Sequence, residues 1–279
     1  MRRRLIAVLI AVLAAAGAAH HHAARAGERS LTLASTTSTD NSGLFAYLLP
    51  VFEEKAGIKV HVIALGTGQA IRLGEKGDAD ALLVHDTEAE RKFVAEGHGL
   101  ERRNVMYNDY VIVGPAADPA RIAGLTDAVE GLRRIGNAGA LFASRGDDSG
   151  THRTELRLWR EAAIDVRSGL RAWYRETGSG MGATLNTAVG LDAYALTDRA
   201  TWVSFKNRRA HEVLVQGDAL LFNQYGIVLV NPARHPHTRA TEARAFADWL
   251  TSGAGQAAIG AFRIEGQQMF FPNALPPGS

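Results

Sequence analysis

Strand-like and helix-like segments alternate almost without a break along this chain, and that alternation constrains its fold more than any other feature. Residues 30–35 read as a short apolar strand, and residues 44–55 as an amphipathic helix closed by Gly57. Residues 58–65 alternate as a strand, with Ile58, Val60 and Val62 set against Lys59 and His61. A short helix over 69–76 ends at Gly77, a buried strand covers 81–84, a helix over 88–96 ends at Gly97, and 105–114 is a strand rich in Tyr and Val. Repeated strand–helix–strand order predicts an α/β protein with largely parallel sheets. After Pro115 the pattern restarts, with helices expected over 125–137, 151–163, 170–176 and 184–195. Strands are expected over 141–144, 201–205 and 213–215. A long apolar strand over 220–230 stops at Asn231-Pro232, and helices over 241–250 and 255–262 close the chain. No repeat of solenoid or propeller period is present.

The two long strands, 105–114 and 220–230, stand where the pattern breaks and resumes. We read both as crossovers between two lobes, one made of 27–110 with 225–279 and the other of 111–224. Two lobes joined by two hinge strands suit ligand capture by closure. The alternative is one continuous doubly wound domain.

Of the 279 residues, 46% are apolar and 22% charged, enough for one large domain or two moderate ones. The N-terminus has the three parts of an export signal: basic Met1-Arg2-Arg3-Arg4, an uncharged run over 5–19, and the small-x-small triplet Ala24-Arg25-Ala26. That run falls short of the roughly 20 residues a membrane span needs. Cleavage after residue 26 discards His20-His21-His22 and four of the 31 basic residues. That leaves 27 against 29 acidic ones, so the formal charge moves from +2 to −2. Such a balance gives no case for nucleic acid or an anionic membrane as partner. The absence of cysteine excludes a disulfide framework, thiolate metal sites, a Cys nucleophile and a lipid-anchored N-terminal Cys. We expect a periplasmic protein without lipid anchor, and a monomer.

Four turns at strand ends carry the chemistry. Ser35-Thr36-Thr37-Ser38-Thr39-Asp40-Asn41-Ser42-Gly43 sets six hydroxyls in nine residues ahead of a helix. Capping needs one of them; the surplus, beside free N–H groups and a positive dipole end, makes an anion site. Gly66-Thr67-Gly68-Gln69 is a second strand-to-helix turn whose glycines let backbone N–H groups approach a ligand. It lacks the third glycine of a dinucleotide fingerprint. Ser144-Arg145-Gly146-Asp147-Asp148-Ser149-Gly150-Thr151-His152 opens a third helix. There Arg145 offers a planar fork of donors to an oxyanion, and Ser149 and Thr151 supply hydroxyls. The competing reading pairs Arg145 with Asp147 or Asp148 in a surface turn. Gly178-Ser179-Gly180-Met181-Gly182 is the fourth turn.

An enzyme is not expected. His152 lies three residues beyond Ser149 on one helix turn, a poor position for its general base, and no Gly-x-Ser-x-Gly elbow exists. The remaining histidines, His85 among them, follow no metal-ligand spacing and read as surface or core residues. Asp78/Asp80 and Asp147/Asp148 match no cation loop. No cofactor and no metal cation is expected.

These motifs resemble the periplasmic binding components of tungstate ABC transporters, relatives of the molybdate- and phosphate-binding proteins. The resemblance runs in order through Ser35-Thr36-Thr37-Ser38 with Asn41-Ser42-Gly43, Gly66-Thr67-Gly68-Gln69-Ala70, and Gly77-Asp78-Ala79-Asp80 with Leu83-Val84-His85. It continues through Met106-Tyr107-Asn108-Asp109-Tyr110, residues 144–152, Met181-Gly182-Ala183-Thr184-Leu185 and Leu221-Phe222-Asn223-Gln224-Tyr225-Gly226. Ser35 stands where that family usually carries Thr, and the hydroxyl is kept. The resemblance implies a two-lobed periplasmic binding protein fold of type II character. The two lobes would close on one tetrahedral oxyanion, tungstate or molybdate, and deliver it to a membrane permease. The ligand-binding positions it implies are Ser35, Thr36, Thr37, Ser38, Thr67, Arg145, Ser149 and Thr151. A phosphate-type oxyanion binder is the nearest alternative, since Arg145 with Ser149-Gly150-Thr151 also resembles that class. A periplasmic hydrolase is the most distant.

Overall fold

Residues 29–167 and 172–274 are described by the structure, a computed structural model, and the expected export segment 1–26 lies outside them. The first half of the chain runs β1 (Ser30–Thr36), α1 (Thr37–Asn41), α2 (Leu44–Ala56), β2 (Lys59–Leu65), α3 (Thr67–Lys76), β3 (Ala81–Val84), α4 (Thr87–Ala95) and β4 (Gly99–Pro115). Then come α5 (Ala128–Ala138), β5 (Phe142–Ser144), α6 (Gly150–Glu161), β6 (Tyr174–Glu176), α7 (Met181–Gly190), β7 (Ala195–Asp198), α8 (Arg199–Ser204) and β8 (His211–Val215). The chain closes with β9 (Phe222–Val230), α9 (Ala240–Thr251), α10 (Gly253–Ala261), the short hairpin β10 (Arg263–Ile264) and β11 (Gln267–Gln268), and β12 (Phe271–Pro272).

β4 links two sheets. Up to Asp109 it pairs with β9 in a sheet ordered β12-β4-β9-β3-β1-β2, and from Tyr110 it pairs with β7 and β8. Its partner β9 stays wholly in the first sheet, and residues 216–221 carry the chain back to it. The fold is α/β and two-lobed, but the sheets are mixed. β1 lies parallel to β2 and β3, and β5 to β6, whereas β4 and β9 run antiparallel to every strand they meet. Parallel pairing requires a helical crossover inside one lobe; the strands that pass between lobes or return from them have none.

Caps and periodicity explain the local elements. On α5 the buried positions Ala128, Gly131, Leu132 and Ile135 follow helical spacing, and the Asp127 carboxylate caps the start by accepting the Glu130 N–H at 2.8 Å. Three segments depart from expectation. Residues 201–205 are not a strand: α8 starts at Arg199 because Asp198 accepts the Thr201 N–H at 2.8 Å, and that cap overrides the β-branched sequence. The end of the 170–176 segment is strand β6, drawn out by pairing with β5. The helix expected over 184–195 stops at Gly190, and Ala195–Asp198 is a strand edge on β4.

Each lobe has its own core. Leu31, Leu33, Leu48, Phe52, Phe246 and Trp249 pack between β1, α2 and α9, while Ile112, Leu132, Ile135, Phe142, Trp159 and Tyr194 fill the other lobe. Each such side chain contributes about 1.5–3 kcal/mol on burial. The apolar packing of each lobe is thus complete within it, and the strand ends between the lobes carry polar groups.

Candidate functional site

The turns singled out in the sequence meet where the lobes face each other. Thr36 caps α1 by accepting the Thr39 N–H, and its hydroxyl contacts Ser38 Oγ at 3.1 Å and Thr39 Oγ1 at 2.7 Å. Thr37 opens α1 half-buried, and Ser38 is buried. Ser35 differs, since its hydroxyl donates to the Leu83 carbonyl at 2.6 Å and its proton serves to tie β1 to β3. Gly66 and Thr67 lie against the loop after β5: Thr67 Oγ1 accepts the Gly150 N–H at 2.9 Å from across the cleft.

In the second lobe Arg145 is 2% exposed, and its Nε and Nη2 donate to Asp147 Oδ2 at 3.2 and 2.6 Å. The pairing weighed against a ligand role thus exists, in a buried loop instead of a surface turn. Asp147 Oδ1 accepts the Ser149 N–H, and Ser149 caps α6 by accepting the His152 N–H. The His152 ring accepts the Asp148 N–H on Nδ1, so it does not serve Ser149 as a base. Thr151 Oγ1 is buried and has no hydrogen-bond partner.

The joint between the lobes supplies residues that the sequence reading left out of the site. His85, at the end of β3, is buried; its Nδ1 lies 3.0 Å from Asn223 Oδ1 and 3.1 Å from the Tyr110 hydroxyl, and its Nε2 lies 3.3 Å from Ser38 Oγ. Asn223 Nδ2 donates to Asn108 Oδ1 at 2.6 Å, which leaves its Oδ1 as acceptor and puts the imidazole proton on Nδ1. Nε2 therefore accepts from Ser38. Burial pushes the His85 pKa down to about 4, so the ring is neutral at neutral pH. Burial raises the Tyr110 and Tyr225 phenols above their ordinary range, keeping both as hydroxyl donors. Asp198, also buried, is raised by burial against the pull of Thr201 and of the Arg145 charge. Asn108 Nδ2 is a second buried donor without a partner. A polar residue inside an apolar strand was the available signal for Asn108 and Asn223, and both sit within motifs quoted above. Behind these groups a cavity of about 600 Å³, lined by Tyr110, Thr154, Arg157 and Asn223, opens toward solvent.

The arrangement is rich in donors. Hydroxyls, amide N–H groups, one guanidinium and the start of α6 converge, while the nearby carboxylates already accept from protein donors. Chemically it can desolvate an anion that only accepts hydrogen bonds. Among the described residues no three His, Asp or Glu side chains converge as cation ligands, and no helix is long and apolar enough to cross a membrane.

Comparison with known proteins agrees. Residues 18–254 match the PBP superfamily domain. The tungstate-binding protein TupA of Peptoclostridium acidaminophilum is 45% identical over 249 residues, covering 88% of this chain and 86% of that protein. The solved structure of the tungstate-binding protein TupA of Desulfovibrio alaskensis superposes with a TM-score of 0.77 at 44% identity, over 88% of this chain and all of that one. The tungstate ABC transporter structure from Geobacter sulfurreducens gives 0.76 at 47% identity, over 84% and 99%. The chain belongs to the PBP superfamily and, within it, to the family of the tungstate-binding TupA proteins.

Proposed function

We propose that this chain is the periplasmic substrate-binding component of an ABC importer, closing its two lobes on tungstate and handing it to a membrane permease. Molybdate is the nearest variant ligand. The protein acts as an exported monomer without a lipid anchor and performs no chemistry on its cargo. One observation carries the reading. Asn108 Nδ2 and Thr151 Oγ1 are buried donors with no partner; Thr151 lies on the first turn of α6, which follows the loop of buried Arg145, and Asn108 accepts from Asn223, which holds His85. A buried donor without an acceptor costs about 1–3 kcal/mol, and an oxyanion with four acceptor oxygens relieves that cost at several donors together. The binding groups under this reading are Thr36 and Thr37 with the start of α1, Ser38, which holds His85 beside them, then Thr67, Arg145, Ser149 and Thr151, and to these we add Asn108. Titration calorimetry with tungstate, molybdate, sulfate and phosphate tests it. Tungstate should bind tightly with one site per chain, and no heat of binding for either tungstate or molybdate would end the reading.

A further inference from the structure

The lobes also meet along a second seam that lies outside the anion-binding groups, and we propose that this seam, centred on Asp86, sets how long the anion is held without touching it. The proposal rests on the closing-cleft reading above. Asp86 follows His85 and caps α4, its Oδ1 accepting the Ala89 N–H. It is 5% exposed, yet its carboxylate faces two arginines of α6 on the opposite lobe: Arg153 Nη1 at 3.4 Å and Arg157 Nη1 at 3.9 Å.

Both sides of this contact are held in place. The Asp86 N–H donates at 2.8 Å to Oε1 of fully buried Glu90, whose Oε2 accepts Arg102 Nε at 2.6 Å. Opposite, Arg153 is fixed by a two-point pair with Asp148, both bonds 2.9 Å long. That pair rests on the first lobe at Gly68, where a Cβ would stand 2.5 Å from Asp148 Oδ2 and 2.7 Å from Arg153 Nη2. The seam is thus a prepositioned carboxylate between two guanidiniums, fitted against a bare stretch of backbone. Pairs at this separation exist only while the lobes are apposed. Opening has to break them before the anion can leave, so they lengthen residence and raise affinity by favouring the closed state. An ion pair with restrained partners and partial burial also keeps more of its strength than a solvated surface pair.

The test uses Asp86→Asn, which keeps the cap and the size of the side chain and removes the charge, together with Arg153→Gln and the double variant. Stopped-flow displacement of tungstate should give dissociation about 5-fold faster or more in each single variant. The double variant should be no faster than the faster single one, because both remove the same contact. Raising salt should speed release in the wild type and leave Asp86→Asn nearly unchanged. Unaltered dissociation rates, or two effects that simply multiply, would overturn the proposal. A second readout needs no ligand. The chain has no cysteine, so spin labels go cleanly onto cysteines replacing exposed Lys55 and Arg133, one on each lobe. Without anion, Asp86→Asn should shift the label distances toward longer values, and identical distributions would overturn the proposal. If the wild type fails to bind tungstate the functional reading falls, while the label distances still decide the seam.

Discussion

The Thr67 hydroxyl accepts the Gly150 N–H at 2.9 Å, and the two residues come from opposite lobes. Gly150 is the first residue of α6, so its N–H is one of the donors a helix start leaves unpaired. The first lobe supplies the acceptor only when the cleft is shut. The Thr67 proton remains available to an acceptor inside, so one side chain serves closure and ligand together. Thr67→Val keeps the shape and removes both bonds, while Thr67→Ser keeps both. Losing them should cost about 1–3 kcal/mol, roughly 5- to 150-fold in tungstate affinity. Calorimetry should show that loss for Val and near wild-type binding for Ser, with similar melting of the ligand-free proteins.

Gly150 makes a steric prediction. A Cβ there would stand 2.8 Å from His85 Cε1, 3.0 Å from His85 Nδ1 and 3.0 Å from Thr67 Oγ1, all in the first lobe. The His85 ring is locked between Asn223 and Ser38 and cannot give way cheaply. Gly150→Ala should act as a wedge, leaving each lobe folded and holding the cleft ajar. Small-angle scattering should show compaction on adding tungstate to the wild type and much less in the variant.

Arg145 is the one buried arginine among the described residues, and its guanidinium shares Asp147 with the Ser149 N–H. Arg145→Ala removes a charge-assisted donor worth about 1.5–3 kcal/mol and leaves the Asp147 carboxylate uncompensated beside the anion. Affinity for tungstate should fall by about tenfold or more, and an unchanged dissociation constant would remove Arg145 from the site.

The part of the site that was legible in the sequence is the part built from helix starts. Hydroxyls before a helix have a local physical meaning, so Thr36, Ser38, Ser149 and Thr151 stood out from the spacing alone. Ser35 belongs to the same run but spends its proton on Leu83, because strand pairing with β3 turns it inward, and no local pattern encodes that. His85, Asn108 and Asn223 come together through contacts 25 to 138 residues apart, so only the fold could assemble them. Two-lobe organisation was readable at the strand that became β4; the second expected crossover, 220–230, is not one, because β9 lies wholly in the first sheet and the chain returns through residues 216–221. Antiparallel pairing of those strands was not readable, because strand direction depends on which lobe the chain is leaving.

Two buried groups predict opposite pH responses. Burial pushes the Glu155 pKa up to about 8 from 4.5, with Tyr174 and Trp159 donating to its Oε1 and no cation beside it. The folded state then holds a proton that the unfolded state has released, so this group costs stability progressively as pH rises from about 4.5 to 8. The slope is at most about 1.4 kcal/mol per pH unit. Glu155→Gln should make that arm shallower and end it near pH 7, where Glu90, raised to about 7 by burial, completes its own loss of the same sign. His85 has the reverse sign: its folded pKa of about 4 lies below the ordinary 6.5, so stability is lost as pH falls from 6.5 toward 4. Urea titrations across pH 4–9 on wild type and Glu155→Gln separate the two arms.

The last prediction concerns selectivity. Near neutral pH tungstate and molybdate are dianions that only accept hydrogen bonds, whereas monohydrogen phosphate brings a proton that needs an acceptor. The carboxylate and imidazole acceptors around the cleft already receive protein donors. Asp147 receives Arg145 and the Ser149 N–H, Asp198 receives the Thr201 N–H and hydroxyl, and His85 Nε2 receives Ser38. The unpaired buried groups are Asn108 Nδ2 and His152 Nε2, which donate, and the hydroxyls Ser144 Oγ and Thr151 Oγ1, each with one proton to give. Phosphate would therefore turn a hydroxyl from donor to acceptor or displace an existing bond, at about 1–3 kcal/mol, roughly 5- to 150-fold in affinity. Sulfate matches the donor pattern but is smaller, so it loses contacts on every side instead of suffering one mismatch. Competition titrations should place tungstate and molybdate well ahead of phosphate, with sulfate weak. Phosphate displacing tungstate at comparable concentration would mean that Asp147 leaves Arg145 and turns its carboxylate into the site.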